Sequence, residues 1–238
     1  MATGSESRHT TAVRVPIGDA ALNGDLGIPP QPHGLVLFAH GSGSSRHSPR
    51  NQYVARALER RDLATLLIDL LTPAEEAVDD LTAQHRFDIP MLASRLVTIV
   101  DWLGRRTDTA SLPIGLFGAS TGGGAALMAA ADRPHGIAAV VSRGGRPDLA
   151  GQSLPKVIAP TLLIVGGLDT PVIQMNRDAM NQMRGEVALE IVPGATHLFE
   201  EPGTLERVAA LAGDWFVRHL QPAVSTSRGA GRGSRGER

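Results

Sequence analysis

The chain has 238 residues, 42% of them hydrophobic and 20% charged, which suits one soluble globular domain with a sizeable core and excludes disorder of the whole. A formal net charge of −1 and an aromatic content of 3% leave no electrostatic or stacking footprint for nucleic acid and no basic face for an anionic membrane. There is no cysteine, so disulfides, Cys-ligated zinc and thiol nucleophiles are excluded.

Residues 1–11 carry no apolar core and are expected to be a flexible N-terminus rather than a signal peptide. AVRVPI and the stretch around Leu22–Ile28 read as a leading hairpin, with Asn23-Gly24 as its turn. Gly34–Ala39 is a continuous apolar run, as expected of a strand buried on both faces. It is far too short to span a bilayer, which takes about 20 residues. A cytoplasmic protein is the expectation. Asn51–Arg61 reads as a helix and ATLLIDL (64–70) as a second buried strand. The acidic segment Thr72–His85 reads as a solvated loop or a short exposed helix.

Asp88 can cap a long helix that tolerates Pro90 in its first turn and repeats Ile89, Leu92, Leu96, Ile99 and Leu103 at helical spacing. Beyond it, PIGLFG (113–118), IAAVVS (137–142), TLLIVG (161–166) and ALEIVP (188–193) read as strands. Gly122–Ala131, Val172–Met183 and Leu205–Leu220 read as helices between and after them. Repeated βα units with apolar strands mean an α/β fold with a mainly parallel sheet covered on both faces. The domain is expected to span 12–220. Residues 221–238 form a Gly/Ser/Arg-rich tail with four Arg and one Glu, read as disordered and solvated.

In an open parallel sheet, sites form beyond the carboxyl ends of the strands. Four such ends carry a coherent set. Gly118-Ala119-Ser120-Thr121-Gly122 matches G-x-S-x-G between a strand and a helix, the context in which a serine is presented as a nucleophile. Asp169 follows a strand in GGLDTPV and can orient a histidine, although alone it reads as well as a helix N-cap. His197 in PGATHLFEEP can take and return a proton near neutral pH. Their order is Ser, Asp, His, with gaps of 49 and 28 residues that accommodate two βα units and one. All three should therefore fall on one edge of the sheet. His40-Gly41-Ser42-Gly43 follows an earlier strand. The N–H groups of Ser42, with Gly43 as second choice, and of Thr121 are the expected oxyanion donors. Arg143, just past a strand end, could bind an anionic substrate group, or could instead pair with the acidic loop Glu75–Asp80.

The HGSGSS loop, the GASTGGG elbow, the LDTPV acid loop and the GATHLFEEPG histidine loop resemble the dienelactone-hydrolase-like branch of the α/β-hydrolase superfamily. The resemblance covers roughly Ala12 to Leu220. It implies an α/β-hydrolase fold with about eight mostly parallel strands and hydrolysis through an acyl-enzyme, a mechanism that needs no cofactor. The eight scattered His residues form no HExxH or other metal-ligand pair, so no metal is expected. True dienelactone hydrolases use a cysteine nucleophile, whereas this chain offers Ser120, so a carboxylesterase acting on small to medium esters is expected. The short segment between Ser142 and Thr161 leaves no room for a large cap domain.

Three other readings compete. An acyltransferase or thioesterase would use the same triad, and a non-catalytic binding protein could keep the scaffold. A dinucleotide site at Gly41-Ser42-Gly43 with Asp69 lacks its third glycine, because Arg46 stands there.

Overall fold

Two hydrophobic patterns divide the strands. In the computed structural model, which describes residues 10–221, β1 (Thr10–Ile17) and β2 (Ala20–Gly27) alternate buried and less buried side chains along much of their length. They pair antiparallel at one edge of the sheet. By contrast β3 (Gly34–Ala39), β4 (Leu63–Ile68), β5 (Ile114–Ala119), β6 (Ala139–Arg143) and β7 (Thr161–Gly166) are buried at every residue. Continuous apolar runs demand cover on both faces, and helices supply it. The last strand, β8 (Val187–Val192), is half-buried at the other edge.

Six helices follow from the βα alternation: α1 (Pro49–Glu59), α2 (Pro73–Thr82), α3 (Ile89–Leu103), α4 (Thr121–Asp132), α5 (Thr170–Met180) and α6 (Thr204–His219). Val54 and Leu58 of α1 and Val208 and Phe216 of α6 close one face over Phe38 and Phe117. Leu96 and Ile99 of α3 and Leu127 of α4 close the other over Leu35, Leu37 and Leu116. Among the described residues, no helix is long and apolar enough to cross a membrane.

Several expected boundaries move. The hairpin turns at Gly18-Asp19, where Gly18 has φ +56°, and Asn23-Gly24 lies within β2 opposite Arg14 and Val13. The earlier turn allows eight residues of each strand to pair, so it prevails over the Asn-Gly signal. β1 also begins inside the stretch read as loose, since Thr10 and Thr11 pair with Gly27 and Leu26. Residues 1–9, and the Gly/Ser/Arg-rich tail apart from Gln221, lie outside the described residues. α1 starts two residues before the expected Asn51 because Ser48 caps it and Pro49 occupies its first position. The acidic segment is the helix α2, started by a capping box between Thr72 and Glu75. A 3₁₀ segment at Pro147–Lys156, with no apolar period to announce it, occupies the space between β6 and β7, and no large cap is present.

The strand order is β1-β2-β4-β3-β5-β6-β7-β8. From β3 the chain moves outward to β4, then returns to the other side of β3 for β5. That reversal opens a crevice beyond the carboxyl ends of β3 and β5. The register places Ala39 beside Gly118, so the loop after β3 faces the turn after β5.

Candidate active site

Ser120 stands where β5 ends and α4 begins, with φ 50° and ψ −121°. A non-glycine residue holds such a backbone only when its surroundings impose it. The constraint is visible on both sides. A Cβ at Gly118 would come within 2.5 Å of Gly122 O, and one at Gly122 within 2.3 Å of Ala39 O. Only glycines let the strand end, the helix start and the loop after β3 approach this closely. Ser120 occupies the N-cap position of α4, yet its side chain makes no capping hydrogen bond. Its Oγ lies 3.3 Å from His197 Nε2 instead.

His197 Nδ1 lies 2.6 Å from Asp169 Oδ2. Asp169 is at the N-cap position of α5 but does not cap it. The simpler capping role that its sequence context allows is therefore not the one its carboxylate fills. The loop carrying His197 is pinned by the buried Phe199, at φ +56°, and by Glu201, whose Oε2 accepts from Thr196 N–H at 3.0 Å. The ring of His197 remains 37% exposed, so water reaches it.

The loop after β3 is held from two directions. Arg46 is ion-paired with both Asp25 and Asp69, and its N–H donates to Asp69 Oδ1 at 2.8 Å. Asp69, a candidate ribose contact in the dinucleotide reading, is thus committed to the loop. His40 Nε2 accepts from Leu70 N–H at 3.0 Å, and its Nδ1 lies 3.0 Å from Gly41 O. This pattern needs a neutral ring with the proton on Nδ1.

Burial lowers the pKa of His40, outweighing the opposite pull of Gly41 O, Asp69 and Glu76. The unfolded chain then binds a proton near 6.5 that the fold refuses until lower pH. Stability is unaffected above that value and falls as pH drops below it. His40→Gln keeps an acceptor for Leu70 N–H and cannot protonate. Its melting temperature should fall less than the parent's between about pH 7 and pH 5, and parallel declines would refute this role.

Ser42 N–H, the first choice for an oxyanion donor, is already engaged: it donates to Thr121 Oγ1 at 2.9 Å. The spacing of 79 residues hid this contact from the sequence. A cleft of about 180 Å³ opens beside it, lined by the loop from His40 to Ser45, Thr121, Leu70, Glu76, Asp80 and Arg86 among others. Ser42 and Thr121 thus face both the cleft and the Ser120 turn.

Arg143 is buried, at 7% exposure, and does not pair with the acidic segment. Glu75 pairs with Arg95, while Asp79 and Asp80 pair with Arg86. Tyr53 packs against the core formed with α1 and α6.

The comparisons with known proteins agree with this architecture. Residues 32–210 match the family described as Alpha/beta hydrolase domain. A crystal structure of dienelactone hydrolase from Anabaena variabilis is 60% identical and superposes with a TM-score of 0.89 over 90% of this chain and 99% of that one. Est1E from Butyrivibrio proteoclasticus shares the fold at 18% identity and a TM-score of 0.74, over 88% of this chain and 98% of that one. A protein of Mycobacterium tuberculosis (strain H37Rv) bearing the provisional name phosphoribosyl transferase is 59% identical over 208 residues. That match covers 87% of this chain but 46% of the relative, so the chain spans about half the length of its curated relatives. With the family match over most of its length and the dienelactone hydrolase matched almost end to end, the chain belongs to the α/β-hydrolase family, among its dienelactone-hydrolase-like members.

Proposed function

We propose that the protein is a serine hydrolase that cleaves carboxylic esters of small to medium size through an acyl-enzyme. The observation that carries this reading is the unbroken chain from Ser120 Oγ through His197 to Asp169, set on a strained turn. In it, Ser120 Oγ attacks the ester carbonyl while its proton passes to His197 Nε2. Asp169 fixes the tautomer and stabilises the imidazolium. The ester C–O bond then breaks, and His197 returns the proton to the departing alkoxide. Water, deprotonated by the same ring, attacks the acyl carbonyl and frees Ser120. The exposed edge of His197 gives water access to the acyl-enzyme. Leu168 and Leu198, neighbours of Asp169 and His197, are 63% and 40% exposed and provide an apolar rim for a substrate. The name phosphoribosyl transferase belongs to proteins of which this chain matches less than half, and we carry no phosphoribosyl transfer over to it.

The developing oxyanion takes its donors from Thr121, with Ser42 N–H acting through the Thr121 hydroxyl. Because Thr121 Oγ1 accepts from Ser42 N–H, its own hydroxyl proton is free to turn toward the oxyanion. Thr121 would then donate both its N–H and its O–H, the second polarised by Ser42. Thr121→Ser should keep kcat within about threefold, whereas the near-isosteric Thr121→Val should lower kcat by about 10- to 100-fold with little change in KM. A valine variant as fast as the parent would leave the hydroxyl without a catalytic part.

The direct test is p-nitrophenyl acetate and butyrate hydrolysis, followed from the first turnover. The expected result is a burst of p-nitrophenolate equal to the enzyme concentration, with an acyl adduct mapped to Ser120 by mass spectrometry. Release without an adduct, or no release from folded protein, would end the esterase reading. Added alcohol or thiol acceptors separate hydrolysis from transfer by their products.

A further inference from the structure

Arg143 is a buried cation without a counter-charge. Its Nε and Nη1 are shielded from solvent and have no hydrogen-bond partner among the described residues. The other arginines near the carboxyl edge all have a carboxylate partner, Arg46 with Asp25 and Asp69, Arg50 with Glu200, Arg86 with Asp79 and Asp80, and Arg146 with Asp148, even though Arg46 Nε and Arg50 Nε also lack a hydrogen bond. Buried charges are ordinarily paired, and an unpaired one calls for an explanation beyond packing. Burial, and then the charge of Arg50, lowers its pKa to about 10, which leaves it protonated at neutral pH.

Its position links it to the chemistry. Arg143 O accepts from Ser120 N–H at 3.2 Å, so it sits directly beside the nucleophile candidate. The next residue, Gly144, lies under the histidine loop, where an added Cβ would stand 3.1 Å from His197 O. Along β6 the side chains alternate. Ser142 faces Gly123 and Gly145, on the side of α4, which sends Arg143 to the opposite face with Val141. That is the face of α1 and α6, where Arg50 Nη1 donates to Glu200 Oε1 at 2.9 Å. Two guanidiniums and one carboxylate leave a single positive charge on this face of the sheet.

We propose that Arg143 receives a carboxylate carried by the substrate, so that this site selects singly anionic esters over neutral ones. The proposal rests on the esterase reading and names its substrate class. A guanidinium offers a planar fork that fits a carboxylate, and the single net charge matches a monoanion. In the cleft on the other side of the oxyanion loop the one arginine, Arg86, is already paired with Asp79 and Asp80, and Glu76 adds a further negative charge, so that side offers an anion less than Arg143 does.

The test compares two matched pairs, p-nitrophenyl hexanoate with mono-p-nitrophenyl adipate, and methyl para-acetoxybenzoate with para-acetoxybenzoate. The parent should favour at least one anionic member by about tenfold or more in kcat/KM, mainly through KM, and Arg143→Met should bring that ratio to about one. Since the variant removes an uncompensated buried charge, it should melt no lower than the parent. Para-acetamidobenzoate, a non-hydrolysed analogue, should raise the melting temperature of Ser120→Ala protein but not of Ser120→Ala/Arg143→Met. This arm needs no turnover, so it reports on Arg143 even if ester cleavage fails. A parent without preference or thermal shift would overturn the proposal. So would a preference that survives Arg143→Met, or a variant that melts lower and loses activity equally on both members of a pair.

Discussion

Ser120→Ala is expected to lower kcat for p-nitrophenyl acetate by about 10⁵- to 10⁶-fold while the melting temperature stays within a few degrees of the parent's. The size follows from what the hydroxyl supplies. Without Oγ no acyl-enzyme forms, and His197 has no proton to take in the first step. What survives is the proposed oxyanion donor set on Thr121, which should still accelerate direct attack by water by roughly 10³- to 10⁴-fold over solution. The small effect on stability follows from the same geometry. Ser120 does not cap α4, so alanine removes no helix-terminal hydrogen bond. The φ of +50° is strained for serine and alanine alike, so the substitution leaves that cost unchanged. Side-by-side progress curves and thermal melts decide it. A variant that retains a tenth of the parent rate would show that Ser120 is not the nucleophile.

The sequence made the placement of Ser120, Asp169 and His197 at the carboxyl edge legible because each of their loops is local. A strand that is apolar throughout, followed at once by Gly-Ala-Ser-Thr-Gly, fixes where Ser120 must be. Asp169 and His197 follow β7 and β8 in the same way. The count of about eight mostly parallel strands, by contrast, came from family resemblance and not from periodicity, and the strand order came from neither. Contacts between remote segments were not legible. Ser42 N–H on Thr121 Oγ1 and His40 Nε2 under Leu70 N–H depend on β3, β4 and β5 lying side by side, a fact of topology that no local pattern encodes. The arginines fared worst. Pairing with the acidic segment was one of two readings of Arg143, but Arg86, in the connection after α2, and Arg95, midway along α3, reach those carboxylates first. Local turn chemistry misled at Asn23-Gly24, where pairing along two full strands outweighs the preference of a dipeptide.

Asp169→Asn separates the two roles that its sequence position allows. As an N-cap residue, asparagine is as good as aspartate, so a purely capping Asp169 would tolerate the change in both stability and activity. In the relay, Asp169 Oδ2 lies 2.6 Å from His197 Nδ1, and the negative charge is what matters. An amide can turn its NH₂ toward the ring, which moves the imidazole proton to Nε2 and leaves no base facing Ser120. Even with its oxygen toward Nδ1, it cannot balance the imidazolium that forms as Ser120 attacks. The expected result is a fall of about 10⁴-fold in kcat near neutral pH, with KM little altered and the melting temperature nearly unchanged. The loss is smaller than for Ser120→Ala because the nucleophile and the oxyanion donors remain, and hydroxide can still act in place of the misoriented base. Acylation should slow in the same proportion, which labelling of Ser120 by a fluorophosphonate measures without turnover. Slow labelling in a variant that melts like the parent assigns Asp169 to the relay. Fast labelling would mean that His197 holds its tautomer without Asp169, through contacts of the loop pinned by Phe199 and Glu201.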